Sequence, residues 1–286
     1  MDDEIAAKHV LLDFEVITLI ALAMGVFVYA LARRLRRSPL DGPGEASPDF
    51  DGFDLILMFF PAMLFLQNPI LGALAAENGG NSGDPKNEVS QLQLMLINLA
   101  VYFVAGVITY GLLSWVRLRN VTDLFGLRRL PTSNIVVISI LAGVFSFLTC
   151  AWLVGEFSNS FLEDIFGKLD LQEAVKMMRE SQSPTHLVLS IVVACIAAPI
   201  VEEFLFRGYM YGTLRRLTHP VFAMVIIGGL FAVAHANLPA LLPLWVFSIL
   251  LCLAYEITGC LWVPVGMHVF FNAANIVLMM MPEPVQ

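Results

Sequence analysis

The sequence predicts an all-α polytopic membrane bundle of about eight transmembrane helices, and three observations predict it. First, the 286 residues are 58% hydrophobic and only 14% charged, with a mean hydropathy of +0.78. A soluble domain carries about 25% charged and about 45–50% apolar residues, so an aqueous core could not hide this much apolar surface. Second, apolar runs near the roughly 20 residues that cross a bilayer recur along the whole chain. Third, polar segments separate them, the one at 38–52 rich in Pro, Gly and Asp. The net charge of −8 argues against a nucleic-acid partner, which selects for clustered basic faces. Cys150, Cys195, Cys252 and Cys260 lie in or beside apolar runs without CxxC or CxxH spacing and read as packing thiols.

Taken in order, span 1 covers roughly 10–32 and ends in Arg33-Arg34-Leu35-Arg36-Arg37. An acidic start (Asp2, Asp3, Glu4) and no small-residue cleavage site mark it as a retained anchor. The segment SPLDGPGEASPDFDG at 38–52 is a loop by composition. Span 2 runs about 53–76, interrupted by Pro61 and Pro69, and a polar loop at 77–90 separates it from span 3 at about 91–116. A basic stretch follows at 117–133, then span 4 at about 134–155. Residues 156–185 are polar overall, yet Phe161, Ile165 and Leu169 repeat at i, i+4, i+8, the pattern of an amphipathic helix at the membrane surface. Spans 5 to 8 fall at about 186–206, 220–236, 241–257 and 261–281.

This divides the chain into an N-terminal transmembrane region (1–155), an extramembrane amphipathic segment (156–185) and a C-terminal transmembrane core (186–286). Alternating the loops places 11 of the 16 Lys and Arg residues on one side. Basic loops stay in the cytoplasm, so the loops at 33–37 and 117–129 are expected there and both termini outside. The chain is thus an integral, multi-pass protein of the lipid bilayer, expected in the cell (inner) membrane.

Ionisable residues in such spans cost about 2.5–3.5 kcal/mol each on insertion scales and so demand a reason. Span 5 ends in Glu202-Glu203-Phe204-Leu205-Phe206-Arg207-Gly208, span 6 ends in Phe231-Ala-Val-Ala-His235, span 7 holds Glu256, and span 8 holds His268 and Asn272. Glu203 and Arg207 are i, i+4 with the acid first, so they share a face and can pair. Glu202 sits about 100° around the helix from Glu203 and is free to point elsewhere. His268 and Asn272, again i, i+4, project together. Pro199, three residues before Glu202, should kink the helix and open room beside the carboxylates. A surplus carboxylate, two histidines and an amide are the parts for activating water and holding an oxyanion. Glu256 lies near the cytoplasmic end of span 7 and could simply reach the interface.

These residues carry a family resemblance. Glu202 to Gly208 resembles the EExxxR(G) motif of the CPBP family, the CAAX-protease and bacteriocin-processing intramembrane endopeptidases. Phe231 to His235 matches that family's FxxxH, His268 to Asn272 its HxxxN, and Thr258-Gly259-Cys260-Leu261-Trp262-Val263-Pro264 the segment before the last His. The match covers about residues 186–281. Where many relatives place glycines in span 7, this chain has Ser248, Cys252 and Ala254, still small.

The resemblance implies a helical membrane core whose motif residues face a shared cavity, acting on membrane-associated or prenylated protein substrates. By position it makes Glu202 the water-activating base assisted by His235, Glu203 and Arg207 the orienting pair, and His268 with Asn272 the oxyanion donors. No cofactor is expected; zinc on Glu202, His235 and His268 is the alternative, disfavoured because Asn272 is a poor zinc ligand and a good oxyanion donor. Two other functions compete: a non-catalytic scaffold or bacteriocin-immunity-type protein on the same fold, and a transporter using Glu202, Glu203 and Glu256 as proton carriers. On a simple count of depth, His235 ends span 6 on the outer side while Glu202 and His268 lie nearer the cytoplasm.

Overall fold

The computed structural model describes residues 50, 52–63, 85–154, 184–235 and 237–280. Every regular element among them is helical, which makes the protein an all-α membrane helix bundle. Four helices are long and apolar enough to cross a membrane, over Leu99–Val116, Thr132–Cys150, Leu187–Leu217 and Pro239–Thr258; shorter apolar helices cover Gly52–Met63, Pro220–Ala234 and Trp262–Leu278. Spans 2 to 8 of the expected order each have a counterpart in these seven. Span 1, the later part of span 2 and residues 156–183 of the amphipathic segment lie outside the described residues.

Helix α1 is Gly52–Met63. Helix α2, Pro85–Gly111, runs on into a π turn at Leu112–Val116. A short α3, Val121–Leu124, is capped by the Asn120 side chain, which accepts from the Thr122 amide at 3.0 Å. Helix α4, Thr132–Phe147, also ends in a π stretch, Leu148–Val154. Helix α5 is continuous from 184 to 217. It is built of α segments Pro184–Val192, Ala198–Glu203 and Gly212–Leu217 joined by π segments Val193–Ala197 and Phe204–Tyr211. Helices α6 (Pro220–Ala234), α7 (Leu238–Thr258) and α8 (Trp262–Met280) complete the chain.

Two pairings dominate the packing, α6 on α7 and α4 on α8. Small residues make each possible. A Cβ on Gly228 of α6 would lie 2.9 Å from the Trp245 ring of α7, and the Trp245 indole N–H donates to the Val225 carbonyl at 2.9 Å. On the other pair, a Cβ on Gly266 would meet Ser139 and one on Gly143 would meet Phe270, both under 3 Å. Without a hydrophobic drive between helices in lipid, close backbone approach of this kind is what holds them. Leu141, Phe145, Val107 and Phe103 are exposed, as suits side chains facing acyl chains.

The loop after α2 clasps this core. Gly126 (φ +61°) and Gly259 (φ +60°) are both left-handed, and a Cβ on Gly126 would collide with the Gly259 carbonyl oxygen. Leu261 N–H donates to the Phe125 carbonyl at 3.1 Å. The Phe125 ring fills the space above Gly208, where a Cβ would come within 2.9 Å of it. Further along, buried Asp54 of α1 receives Arg117 at 3.1 Å and Arg119 at 3.8 Å.

One boundary and one side chain differ from expectation for a physical reason. Span 5 is expected to stop at about 206, but α5 continues to Leu217, with Arg207, Tyr209, Tyr211, Thr213 and Arg215 all buried. Glu256 does not simply reach the interface. Its Oε2 accepts from Arg215 at 2.9 Å and from the Tyr211 hydroxyl at 2.8 Å, tying α7 to the end of α5.

Candidate active site

The site is built where α5, α6, α7 and α8 meet. On α5 the Glu203–Arg207 pair takes the geometry its i, i+4 spacing dictates: Arg207 Nη1 donates to Glu203 Oε1 at 2.9 Å, with both side chains fully buried. From α7 the Ser248 hydroxyl oxygen accepts from Arg207 Nη2 at 2.6 Å. From α6 the Phe231 ring lies under the guanidinium, 4.5 Å from its carbon to the ring centroid, a cation–π contact in a dry setting.

His268 of α8 joins the two carboxylates. Its Nδ1 lies 2.8 Å from Glu203 Oε1 and its Nε2 3.9 Å from Glu202 Oε2. A carboxylate already accepting from arginine can only accept again, so Nδ1 is the protonated nitrogen and Nε2 faces Glu202. The imidazole is held edge-on by Phe231 (5.7 Å) and Phe247 (5.3 Å), so its plane is set by packing as well as by the hydrogen bond. Glu202 is the less buried of the two acids, and its carboxylate is not taken by Arg207. Two carboxylates and one guanidinium leave one surplus negative charge at the Glu202–His268 edge.

Asn272 is oriented by a backbone irregularity. In the π segment Val193–Ala197 the Ala198 N–H donates to Val193 O, five residues back. The next bond in that register would run from residue 199 to Ala194 O, and Pro199 has no N–H to give. The orphaned Ala194 carbonyl accepts instead from Asn272 Nδ2 at 2.8 Å. The kink expected at Pro199 is thus expressed as a π turn, a feature common at functional sites, and it fixes the amide of α8. One N–H of Asn272 is committed to that carbonyl and one is left for a ligand.

His235 is the C-cap of α6, exposed, with its ring 4.6 Å from Phe231. Its Nδ1 lies 2.7 Å from the Phe231 carbonyl; a carbonyl only accepts, so Nδ1 carries the proton and Nε2 presents a lone pair. At 1.5 Å per residue the 15-residue α6 rises only about 22 Å, short of the roughly 30 Å hydrocarbon core. The count of depth sets His235 apart, yet a single ring, Phe231, separates it from His268.

Of the sequence-predicted residues, Glu202, Glu203, Arg207 and His268 come together directly. Asn272 sits one turn along α8, and His235 joins through Phe231. The residues that sequence reading missed are Ser248, read only as a small spacer, the Phe231 ring, and Tyr102 of α2. Tyr102 is buried and within electrostatic range of Glu202; its N-terminal helix offered no motif to mark it. No group of three His, Cys, Asp or Glu placed to hold a metal ion occurs among the described residues. The zinc set would need His235 and Glu202 on one ion, and here Phe231 stands between His235 and His268.

Comparison with known proteins bears out the resemblance over the C-terminal third. Residues 184–274 match the family described as Type II CAAX prenyl endopeptidase Rce1-like. A curated relative from Bacillus subtilis (strain 168), named "Putative membrane peptidase YdiL", is 30% identical over 147 residues, which is 49% of this chain and 59% of the relative. The chain thus covers less than two thirds of that relative's length. No solved structure matches the chain.

Proposed function

We propose that the protein is an intramembrane endopeptidase that hydrolyses peptide bonds of membrane-associated or prenylated protein substrates with water activated by Glu202. The observation that carries this reading is the division of labour between adjacent acids. Glu203 is consumed by Arg207 and His268, while Glu202 is left facing His268 Nε2 at 3.9 Å. A spare carboxylate beside an oriented imidazole is what a general base needs.

In this mechanism Glu202 takes a proton from water as the water oxygen attacks the scissile carbonyl carbon. His235 Nε2 accepts the water's other hydrogen bond. The negative charge that develops on the carbonyl oxygen is met by the uncommitted N–H of Asn272 and, when protonated, by His268 Nε2. Collapse breaks the carbon–nitrogen bond, and the proton held by Glu202 passes to the leaving amine. The products are a carboxylate and an amine, with one water consumed. The Glu203–Arg207–Ser248 group does not exchange protons in this scheme; it holds His268. Every step uses the chain's own groups, and zinc on Glu202, His235 and His268 is the competing scheme.

The family match and the membrane-peptidase relative support peptide hydrolysis in a membrane. The 11:5 basic asymmetry supports an eight-span arrangement with the loop at 117–129 in the cytoplasm. The deciding assay offers purified full-length protein in lipid nanodiscs fluorogenic peptides, prenylated and unprenylated, with and without a zinc chelator. The reading expects cleavage that survives the chelator. Loss of cleavage on chelation, restored by zinc, would move the mechanism to the metal. A parent that cuts nothing while Glu202→Ala leaves the cellular phenotype intact would favour the scaffold reading.

A further inference from the structure

Arg207 and Glu203 do not make the two-pronged contact that a guanidinium and a carboxylate ordinarily prefer. Only Nη1 meets Glu203, at Oε1. Arg207 Nε and Glu203 Oε2 are both buried without a hydrogen-bond partner among the described residues. A bidentate pair adds a second parallel hydrogen bond, and two buried polar atoms left unpaired cost free energy, so something must hold the guanidinium off. The restraint comes from α7, where the fully buried Ser248 takes Nη2 on its hydroxyl at 2.6 Å and on its carbonyl at 3.4 Å. Phe231 lies against the guanidinium and limits its movement. The consequence falls on Oε1, which has to serve both Arg207 at 2.9 Å and His268 Nδ1 at 2.8 Å.

We infer that Ser248 is a positioning residue for the reaction: by anchoring Arg207 Nη2 it sets the guanidinium that orients the Glu203 carboxylate, so that Oε1 meets His268 Nδ1 and the imidazole is fixed with Nε2 toward Glu202. Without that hydroxyl, Arg207 is free to swing onto both oxygens of Glu203 and satisfy the two orphaned atoms. The pair then becomes tighter and His268 loses part of its anchor. Ser248 thus gives up stability for placement, the reverse of what a spacer does. This inference rests on the hydrolytic reading for its kinetic consequence only; the geometry at His268 stands apart from it.

The test is Ser248→Ala in the full chain, measured three ways. With a cleaved reporter peptide, kcat falls about ten- to a hundredfold, the scale of loss from misplacing a catalytic group, while KM stays at the parental value. Thermal unfolding in the same nanodiscs shows a midpoint equal to or above the parent's. In nitrogen-15 spectra of histidine-labelled protein, the His268 Nδ1 proton signal moves toward that of a weaker hydrogen bond. A lowered midpoint with parental kcat would make Ser248 a packing residue and overturn the inference. An unmoved His268 signal would overturn it even if the parent cleaves no peptide, an outcome that would count against the hydrolytic reading alone.

Discussion

Replacing Arg207 with alanine is the sharpest structural perturbation that the site offers. The side chain is fully buried and is held by Glu203 at 2.9 Å, Ser248 at 2.6 Å and the Phe231 and Phe206 rings at 4.5 and 5.8 Å. Its removal strands Glu203, which is 0% exposed, and breaking a buried pair from one side costs about 3–5 kcal/mol. That corresponds to a shift of roughly 10²- to 10⁴-fold in the folding equilibrium, at a factor of ten per 1.4 kcal/mol. Loss of the cation–π contact adds about 0.5–2 kcal/mol. The double variant Glu203→Gln with Arg207→Met removes both charges and refills the volume, so most of the loss should return. Denaturant unfolding of the full chain in mixed micelles, followed by tryptophan fluorescence, reads both variants. If Arg207→Ala unfolds with the parental midpoint, the pair is not buried and the site described above is wrong.

Two further outcomes follow from the same geometry, and a third from the distribution of Lys and Arg among the loops. Asn272→Ala removes one oxyanion donor and should lower kcat by about 10²–10³, leaving residual turnover measurable with the same reporter peptide. Pro199→Ala restores the missing N–H to Ala194 O and frees Asn272, so it should unfold no earlier than the parent yet lower kcat by less than the loss of the amide itself; parental kcat would break the link between the π turn and Asn272. A single cysteine at position 42 in a cysteine-free background should react with an impermeant thiol reagent only after the membrane is opened, and labelling in intact cells would invert the orientation.

Much of the site was legible because helical spacing is strict. The i, i+4 interval alone predicts the Glu203–Arg207 pair, and the structure adds only its partners. The 100° offset of Glu202 likewise foretells a carboxylate outside the pair. What could not be read lies in contacts between helices. Ser248 looks like any small residue in span 7 until α7 is set against α5. That α5 runs on past residue 206 depends on Arg215 and Tyr211 sharing Glu256 of α7 inside the bundle. Pro199 signalled a break, but which carbonyl it would orphan, and that Asn272 would collect it, depends on a π register that composition does not encode.

The central claim is that Glu202 is the base, and Glu202→Gln tests it most directly. The side chain is nearly isosteric and loses only its charge, so the variant should insert, fold and unfold like the parent. Loss of general-base catalysis costs about 10²–10⁴-fold, so initial rates on a peptide that the parent cleaves should fall by at least that much. The account predicts a folded, nearly inactive protein. Parental turnover in Glu202→Gln, measured in the same nanodisc preparation, would contradict it.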